Sequence, residues 1–418
     1  MNSAMAHRLF VALLLLTIAT PSWRAAAQQR QPSRLVAIGD IHGDFEALHR
    51  NLQNAGIIDA GGRWIASNTT LVQVGDFTDR GPGVRAVMDL LMDLERQAAA
   101  AGGRVEILLG NHEIMNLLGD GRYITPAIYQ TFADERSPQR RQSAYENYLK
   151  LCSARFAALG RLVPGVSQPV AKDEWMAAHP LGFVEYHDAF GPRGRYGRWL
   201  RNKRAVLQHA GAVFLHAGIN PDRSPRTLEE INKQVGAELR RFDEYRRRMV
   251  DRRLILPFFT LSEILAAAQV ELQAAAAAVT SRPTETRGLP GELQQSVNPD
   301  PLGLSALLEI DSWSIIHPDG PLWFRGFATW PSDAGSIHIE SLLRRYNVAH
   351  FIVGHTIPET RRVTARFAGA VLLIDTGMSS SYVRDGNASA LEIRDGRFTA
   401  IYEGERAPLL DGVKPAVR

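Results

Sequence analysis

Asp40, His42, Asp76, Asn111, His216 and His355 each stand just behind a short apolar run, and together they are an unusual set of side chains. Carboxylates mixed with imidazoles suit a borderline divalent metal such as Mn, Fe or Zn, whereas Ca and Mg prefer shells made of oxygen alone. Six ligands exceed the needs of one ion, but two ions sharing one carboxylate use them all. Two metals about 3.5–4 Å apart polarise a phosphoryl group, lower the pKa of a bridging water and fix an in-line attack. The formal charge fits such a substrate: two dications against Asp40 and Asp76 leave +2, and a bridging hydroxide leaves +1. That remainder, with an arginine, matches a phosphate dianion. The neutral amide of Asn111, in the stretch ILLGNHEIMN, keeps the site positive.

The elements that must position these groups repeat one pattern, an aliphatic run, then glycine, then polar groups. It recurs as RLVAIGDIHGD, TLVQVGDFTDRG, VEILLGNHE, AVFLHAG, FIVGHT and VLLIDTG. Continuous apolar runs suit strands covered on both faces. The polar groups always follow the strand, and in α/β sheets ligands gather beyond the carboxyl ends of the strands, so these segments are expected to converge. Helices are expected at Phe45 to Asn54 and Val84 to Ala100, the latter with Val87, Leu90, Leu91 and Leu94 on one face. Two insertions interrupt the alternation, Tyr123 to about Arg204 and Thr227 to Pro301, and both read as helical caps over the catalytic face. The first carries the helical signal Ala144 to Phe156 and the tract GPRGRYGRWLRNKR, expected as a rim that attracts anionic substrate.

At the N-terminus, His7 and Arg8 precede the apolar run Leu9 to Ala19, and Ala25-Ala26-Ala27 follows. This is the layout of a signal peptide covering residues 1–27, cleaved before Gln28, which implies a periplasmic or secreted protein. The competing membrane anchor is disfavoured because the run falls short of the roughly 20 apolar residues that span a bilayer. Removing the segment takes away Arg8 and Arg24 and no acids, so the formal charge falls from +4 to +2 and gives no argument for a nucleic-acid partner. Cys152, the only cysteine, excludes an intramolecular disulfide and sits in an apolar helical pattern as a small core residue. Residues 28–403 are expected to form one domain, with 404–418 a loose polar tail.

GDIHGD, GDFTDRG and GNHE, in that order, followed by isolated histidines in FLHAG and VGHT, resemble the phosphoprotein phosphatase family of dinuclear metallophosphatases. GNHEIMNLLGDGRYITP, GPLWFRG and IDTGMS are similar to its Shewanella-like branch. The resemblance implies an α/β fold, a metallophosphatase-type β-sandwich flanked by helices. It implies that Asp40 and His42 bind one metal, that Asp76 bridges, and that Asn111, His216 and His355 bind the other. It further implies that His112 is the general acid on the leaving oxygen, that Asp79 holds it, and that Arg80 grips phosphate oxygens. A carboxylate beside an imidazole favours the cation, which agrees with an acid at position 112. Arg325 in PLWFRG is the candidate for a second phosphate arginine; its other reading is stacking support for Trp323, Phe324, Phe327 and Trp330. HAGI departs from the more usual HGG, placing a β-carbon at Ala217 beside His216.

Taken singly, Asp40, Asp76 and Asn111 also read as turn residues after strands. Their joint occurrence with the histidines is what favours a site. His112 as a ligand is awkward because adjacent residues rarely face one ion, and His209 lies in QHAG ahead of the strand that carries His216. Glu113 and Asp375 are expected to act behind the ligands or at a helix start. The resulting expectation is a phosphomonoesterase acting on phosphorylated protein or peptide, Ser/Thr or Tyr, by direct in-line attack of metal-bound hydroxide. A diadenosine-tetraphosphatase-like pyrophosphohydrolase and an inactive phosphate-binding module are the rivals.

Overall fold

The computed structural model describes residues 34–280, 300 and 302–410; the apolar run Leu9 to Ala19 with its cleavage site, and residues 411–418, lie outside these. Two mixed sheets form the centre. In the first, β1 (Arg34–Ile38), β2 (Thr70–Gln73) and β3 (Arg104–Ile107) run parallel. The second sheet holds β4 (Val206–His209), β5 (Ala212–Leu215), β6 (His350–Val353), β7 (Thr364–Arg366) and β8 (Val371–Leu373), in the order β4-β5-β6-β8-β7. β5, β6 and β8 are again parallel. An antiparallel meander, β9 (Ala390–Arg394), β10 (Arg397–Tyr402) and β11 (Glu405–Leu410), completes the first sheet in the order β11-β10-β9-β1-β2-β3.

The side-chain period of two explains why the runs are apolar throughout. Leu35, Ala37, Val72, Phe214, Ile352 and Leu372 point into a core shared by the two sheets, and Val36, Ile38, Leu71, Val213, Phe351 and Val371 point out to the helices. The six sequence runs become β1, β2, β3, β5, β6 and β8. The expectation of a loose tail is corrected for 405–410, which pair with β10 from Tyr402↔Glu405 onward. His209, read as part of a turn, closes β4 opposite Ala212.

Helices α1 (Phe45–Asn54), α2 (Val84–Ala100) and α3 (Asn111–Leu118) follow β1, β2 and β3. Asp44 caps α1 through Ala47 N (3.0 Å), and α2 buries Val87, Met88, Leu91 and Leu94. The first insertion is helical: α4 (Pro126–Gln130), α5 (Ser137–Leu159), α6 (Lys172–Ala178), α7 (Phe183–Phe190) and α8 (Arg195–Arg201). Cys152 is buried on α5. The second insertion gives α9 (Leu228–Asp251) and α10 (Leu261–Thr280), and α11 (Leu304–Leu308), α12 (Gly326–Thr329) and α13 (Ser332–Tyr346) follow. Among the described residues no helix is long and apolar enough to cross a membrane.

The arginine tract is not a rim of the catalytic cleft. Arg201 forms a two-pronged pair with Asp243 (2.7 and 2.8 Å), Arg195 meets Asp89 (2.8 Å), and Lys203 pairs with Glu95, so these cations are neutralised by α2 and α9. Tyr196 and Trp199 donate to the same α2 acids, which docks α8 on α2.

Candidate metal centre

The carboxyl ends of β1, β2, β3, β5, β6 and β8 meet at one cleft of about 320 Å³. Asp40 and His42 come from the β1 loop, Asp76 from β2, Asn111 from the start of α3, and His216 and His355 follow β5 and β6. All six are buried, with at most 8% of any of them exposed. Of the first insertion, Tyr123 reaches the cleft wall; Trp323 and Arg325 line it from beyond the second insertion.

Hydrogen-bond accounting shows what the cluster lacks. His216 Nδ1 lies 3.2 Å from the Val74 carbonyl and His355 Nε2 lies 3.1 Å from the Trp323 carbonyl, so these nitrogens carry the protons. The other ring nitrogens then present lone pairs. His216 Nε2 faces His355 Nδ1 (3.0 Å), Asn111 Oδ1 (2.9 Å) and Asp76 Oδ2 (3.2 Å), four acceptors meeting without a hydrogen. Acceptors crowd like this around a cation. Beside it, His42 Nδ1 lies 3.3 Å from the Thr78 carbonyl, and its Nε2, which Arg80 Nη1 faces at 3.0 Å, sits 3.8 Å from Asp40 and 3.9 Å from Asp76. Asp76 Oδ2 belongs to both groups.

Charge states agree. Burial pushes the His42 imidazole down to about 3 and holds His355 well below the usual imidazole range. Both are therefore neutral, as metal ligation requires. Burial would raise Asp76, but the imidazoles around it outweigh burial and hold it well below the carboxylate range. Asp40 is pushed well up by burial and by Asp375 and Asp76, a carboxylate crowd that a divalent ion relieves. The residues present thus fit a pair of divalent metals.

The backbone supports the same location. His42, Asp76, Asp79, Arg80 and His355 adopt φ between +47° and +69°, a region that side chains other than glycine rarely enter. Such strain costs roughly 1–3 kcal/mol per residue and persists where surrounding structure enforces it. Two glycines permit the approach: a Cβ on Gly110 would lie 2.2 Å from Asp76 Oδ1, and one on Gly354 2.2 Å from Asp40 Oδ1. The β-carbon of Ala217 is accommodated with negative φ, and His216 keeps its contacts.

His112 lies in the same cleft with its Nδ1 2.9 Å from Asp79 Oδ2. Its Nε2 is 3.8 Å from Asp76, as close as that of His42, so proximity alone does not exclude ligation. The carboxylate behind it sets it apart. Burial would lower its pKa, but Asp76 and Asp79 outweigh burial and hold it above the usual value, so His112 keeps a second proton to higher pH than His42 does. Asn116, one helical turn on, clamps the pair by donating to Asp79 Oδ1 and to the His112 carbonyl (both 2.7 Å). Its i+4 spacing from His112 was legible in GNHEIMN.

Glu113 proves to be the brace. Its carboxylate accepts from Gly110 N, Asp76 N, Phe77 N, Thr78 N and Thr78 Oγ1 at 2.7–3.0 Å, tying the β2 loop to the start of α3. Each orphaned buried donor costs about 1–3 kcal/mol, partly recovered by entering water. Glu113→Ala is therefore expected to lower unfolding free energy by about 2–4 kcal/mol. Chemical denaturation checks this, and a loss under 1 kcal/mol would dismiss the brace. Asp375, buried just past β8, accepts from Gly377 N (3.0 Å) and lines the cleft with Asp40, whose carboxyl its charge pushes up. Arg325 donates to the His355 carbonyl (3.0 Å) and to Thr356 Oγ1 (2.8 Å), which aims it along the cleft wall.

A family model described as calcineurin-like phosphoesterase matches residues 33–241, half of the chain. The chain belongs to the calcineurin-like phosphoesterase family. It is a metal-dependent phosphoric ester hydrolase. It is 27% identical over 388 residues to an uncharacterised protein of Schizosaccharomyces pombe, covering 91% of this chain and 84% of that one. It is 35% identical over 221 residues to Shewanella-like protein phosphatase 2 of Arabidopsis thaliana, covering 49% of this chain and 51% of that one. The match thus spans about half the length of that phosphatase. The fold is shared with the cold-active protein-tyrosine phosphatase of a psychrophilic Shewanella species, at TM-score 0.54 and 23% identity over 91% of this chain and 81% of that one.

Proposed function

We propose that this phosphoesterase is a two-metal phosphomonoesterase that removes phosphate from phosphorylated protein side chains. The observation that carries the reading is the convergence of acceptor atoms on Asp76 Oδ2 with a carboxylate-backed imidazole and two arginines on the same cleft. Asp40 and His42 would hold one ion, Asn111, His216 and His355 the other, with Asp76 shared. Mn, Fe or Zn suits this donor set. Bound there, the ions supply Lewis acidity toward the phosphoryl oxygens and an activated water.

The chain's own residues do the rest. Arg80 binds the phosphate through its planar fork, and Arg325, lining the same cleft, supplies a second cation to it. His112 delivers its Nε2 proton to the leaving oxygen, while Asp79 stabilises the imidazolium and fixes its orientation. The likeness to an enzyme named a protein phosphatase supports protein phosphate as substrate. The run Leu9 to Ala19 supports export, with a mature chain starting at Gln28.

The test is a panel of phosphotyrosine, phosphoserine and phosphothreonine peptides beside diadenosine tetraphosphate. Phosphopeptide turnover is expected to dominate; a preference for the dinucleotide by orders of magnitude would make the enzyme a nucleotide pyrophosphohydrolase instead.

A further inference from the structure

The last residue of GDIHGD, Asp44, and the tyrosine downstream of IDTGMS have no role in the chemistry described so far, yet Tyr382 lines the cleft and Asp44 holds the loop that carries it. Tyr382 lies with its ring centroid 3.5 Å from the Arg80 guanidinium carbon and is 51% exposed. Tyr123 flanks the same guanidinium at 5.4 Å, and its carbonyl accepts from Arg80 N (3.2 Å). Held so, Arg80 points Nη1 at His42 Nε2 (3.0 Å) and Nη2 at His112 Nε2 (3.3 Å), toward the cleft floor. The loop that carries Tyr382 is pinned at Ser380, whose N and Oγ both donate to Asp44 Oδ2 (3.1 and 3.2 Å). The other oxygen of that carboxylate caps α1.

Resting on the reading of Arg80 as the phosphate-gripping residue, we propose that Tyr382 is its positioning residue and that Asp44 is the latch holding Tyr382 in place. An arginine on a flexible stem loses rotamer freedom when it clamps a ligand, so a ring that holds the guanidinium in advance lowers the cost of binding phosphate. A cation over a tyrosine face supplies attraction without competing for the fork's donors. The grip on phosphate therefore depends on a strap closed between the β1 and β8 loops.

The experiment measures kcat, KM and inhibition by inorganic phosphate with p-nitrophenyl phosphate as substrate. Tyr382→Leu is expected to raise KM and the phosphate inhibition constant about 3–30-fold, with kcat changed less than about threefold. Tyr382→Phe keeps the ring and restores both constants. Asp44→Ser keeps a helix cap but cannot reach Ser380, and is expected to behave like Tyr382→Leu. In an Arg80→Ala background, Tyr382→Leu adds nothing further. Unchanged phosphate affinity in Tyr382→Leu, where Arg80→Ala does weaken it, overturns the strap and leaves the phosphate role of Arg80 standing. If Arg80→Ala itself leaves phosphate affinity unchanged, the reading beneath the strap is overturned first.

Discussion

His112→Asn is expected to lower kcat about 10²–10⁴-fold while leaving metal content at the wild-type level, the range that a positioned proton donor supplies. The two halves of the result separate the readings of this residue. His112 Nε2 is as near Asp76 as is the ring nitrogen of His42, so a ligand and an acid look alike by distance. They differ in what stands behind them: a backbone carbonyl at His42, a carboxylate clamped by Asn116 at His112. Loss of a metal ion in the variant would move His112 into the ligand set. The pH profile carries the same information. Because the pKa of His112 is raised, its acid form is fully present at low pH and is lost as pH rises through that value. Wild-type kcat should therefore fall on the alkaline side, and the variant should lack that limb.

Asp76→Asn is expected to reduce bound metal and to lower turnover by at least about 10³-fold, since the ions supply several kcal/mol of charge stabilisation. Asp76 Oδ2 is the atom common to both groups, 3.2 Å from His216 and 3.9 Å from His42. An amide keeps the shape and removes the charge, leaving Asp40 as the one anionic ligand of the proposed set. The variant should fold, because asparagine tolerates the φ of +57° at this position better than most residues. Metal analysis by mass spectrometry with steady-state kinetics reads both effects. Wild-type metal content and turnover would remove Asp76 from its bridging role.

The parallel strands were legible because burial on both faces makes each a continuous apolar run, and the ligands were legible because each follows such a run. The antiparallel part was not read. Ala390–Arg394 and Arg397–Tyr402 mix polar with apolar residues rather than running apolar throughout, and Glu392, buried on the interior strand β9, is neutralised by Arg34 and Arg406. A signal was nonetheless present: Asp395 and Gly396 have φ of +52° and +77°, and Asp-Gly between two strands favours a tight hairpin. The arginine tract misled because sequence shows cations but not the α2 and α9 carboxylates that neutralise them. Glu113 and Asn116 sit within the quoted motif, but their work is done across space, on the β2 loop and Asp79, and spacing along one helix shows only half of each contact.

The central claim, that Asp40, His42, Asp76, Asn111, His216 and His355 hold the metals that make this chain a phosphomonoesterase, is tested most directly by titrating metal back into chelator-treated protein while following phosphopeptide turnover. The account predicts no turnover in the stripped protein and recovery that saturates at about two divalent ions per chain. Full turnover without metal, or saturation with these six residues substituted, would contradict it.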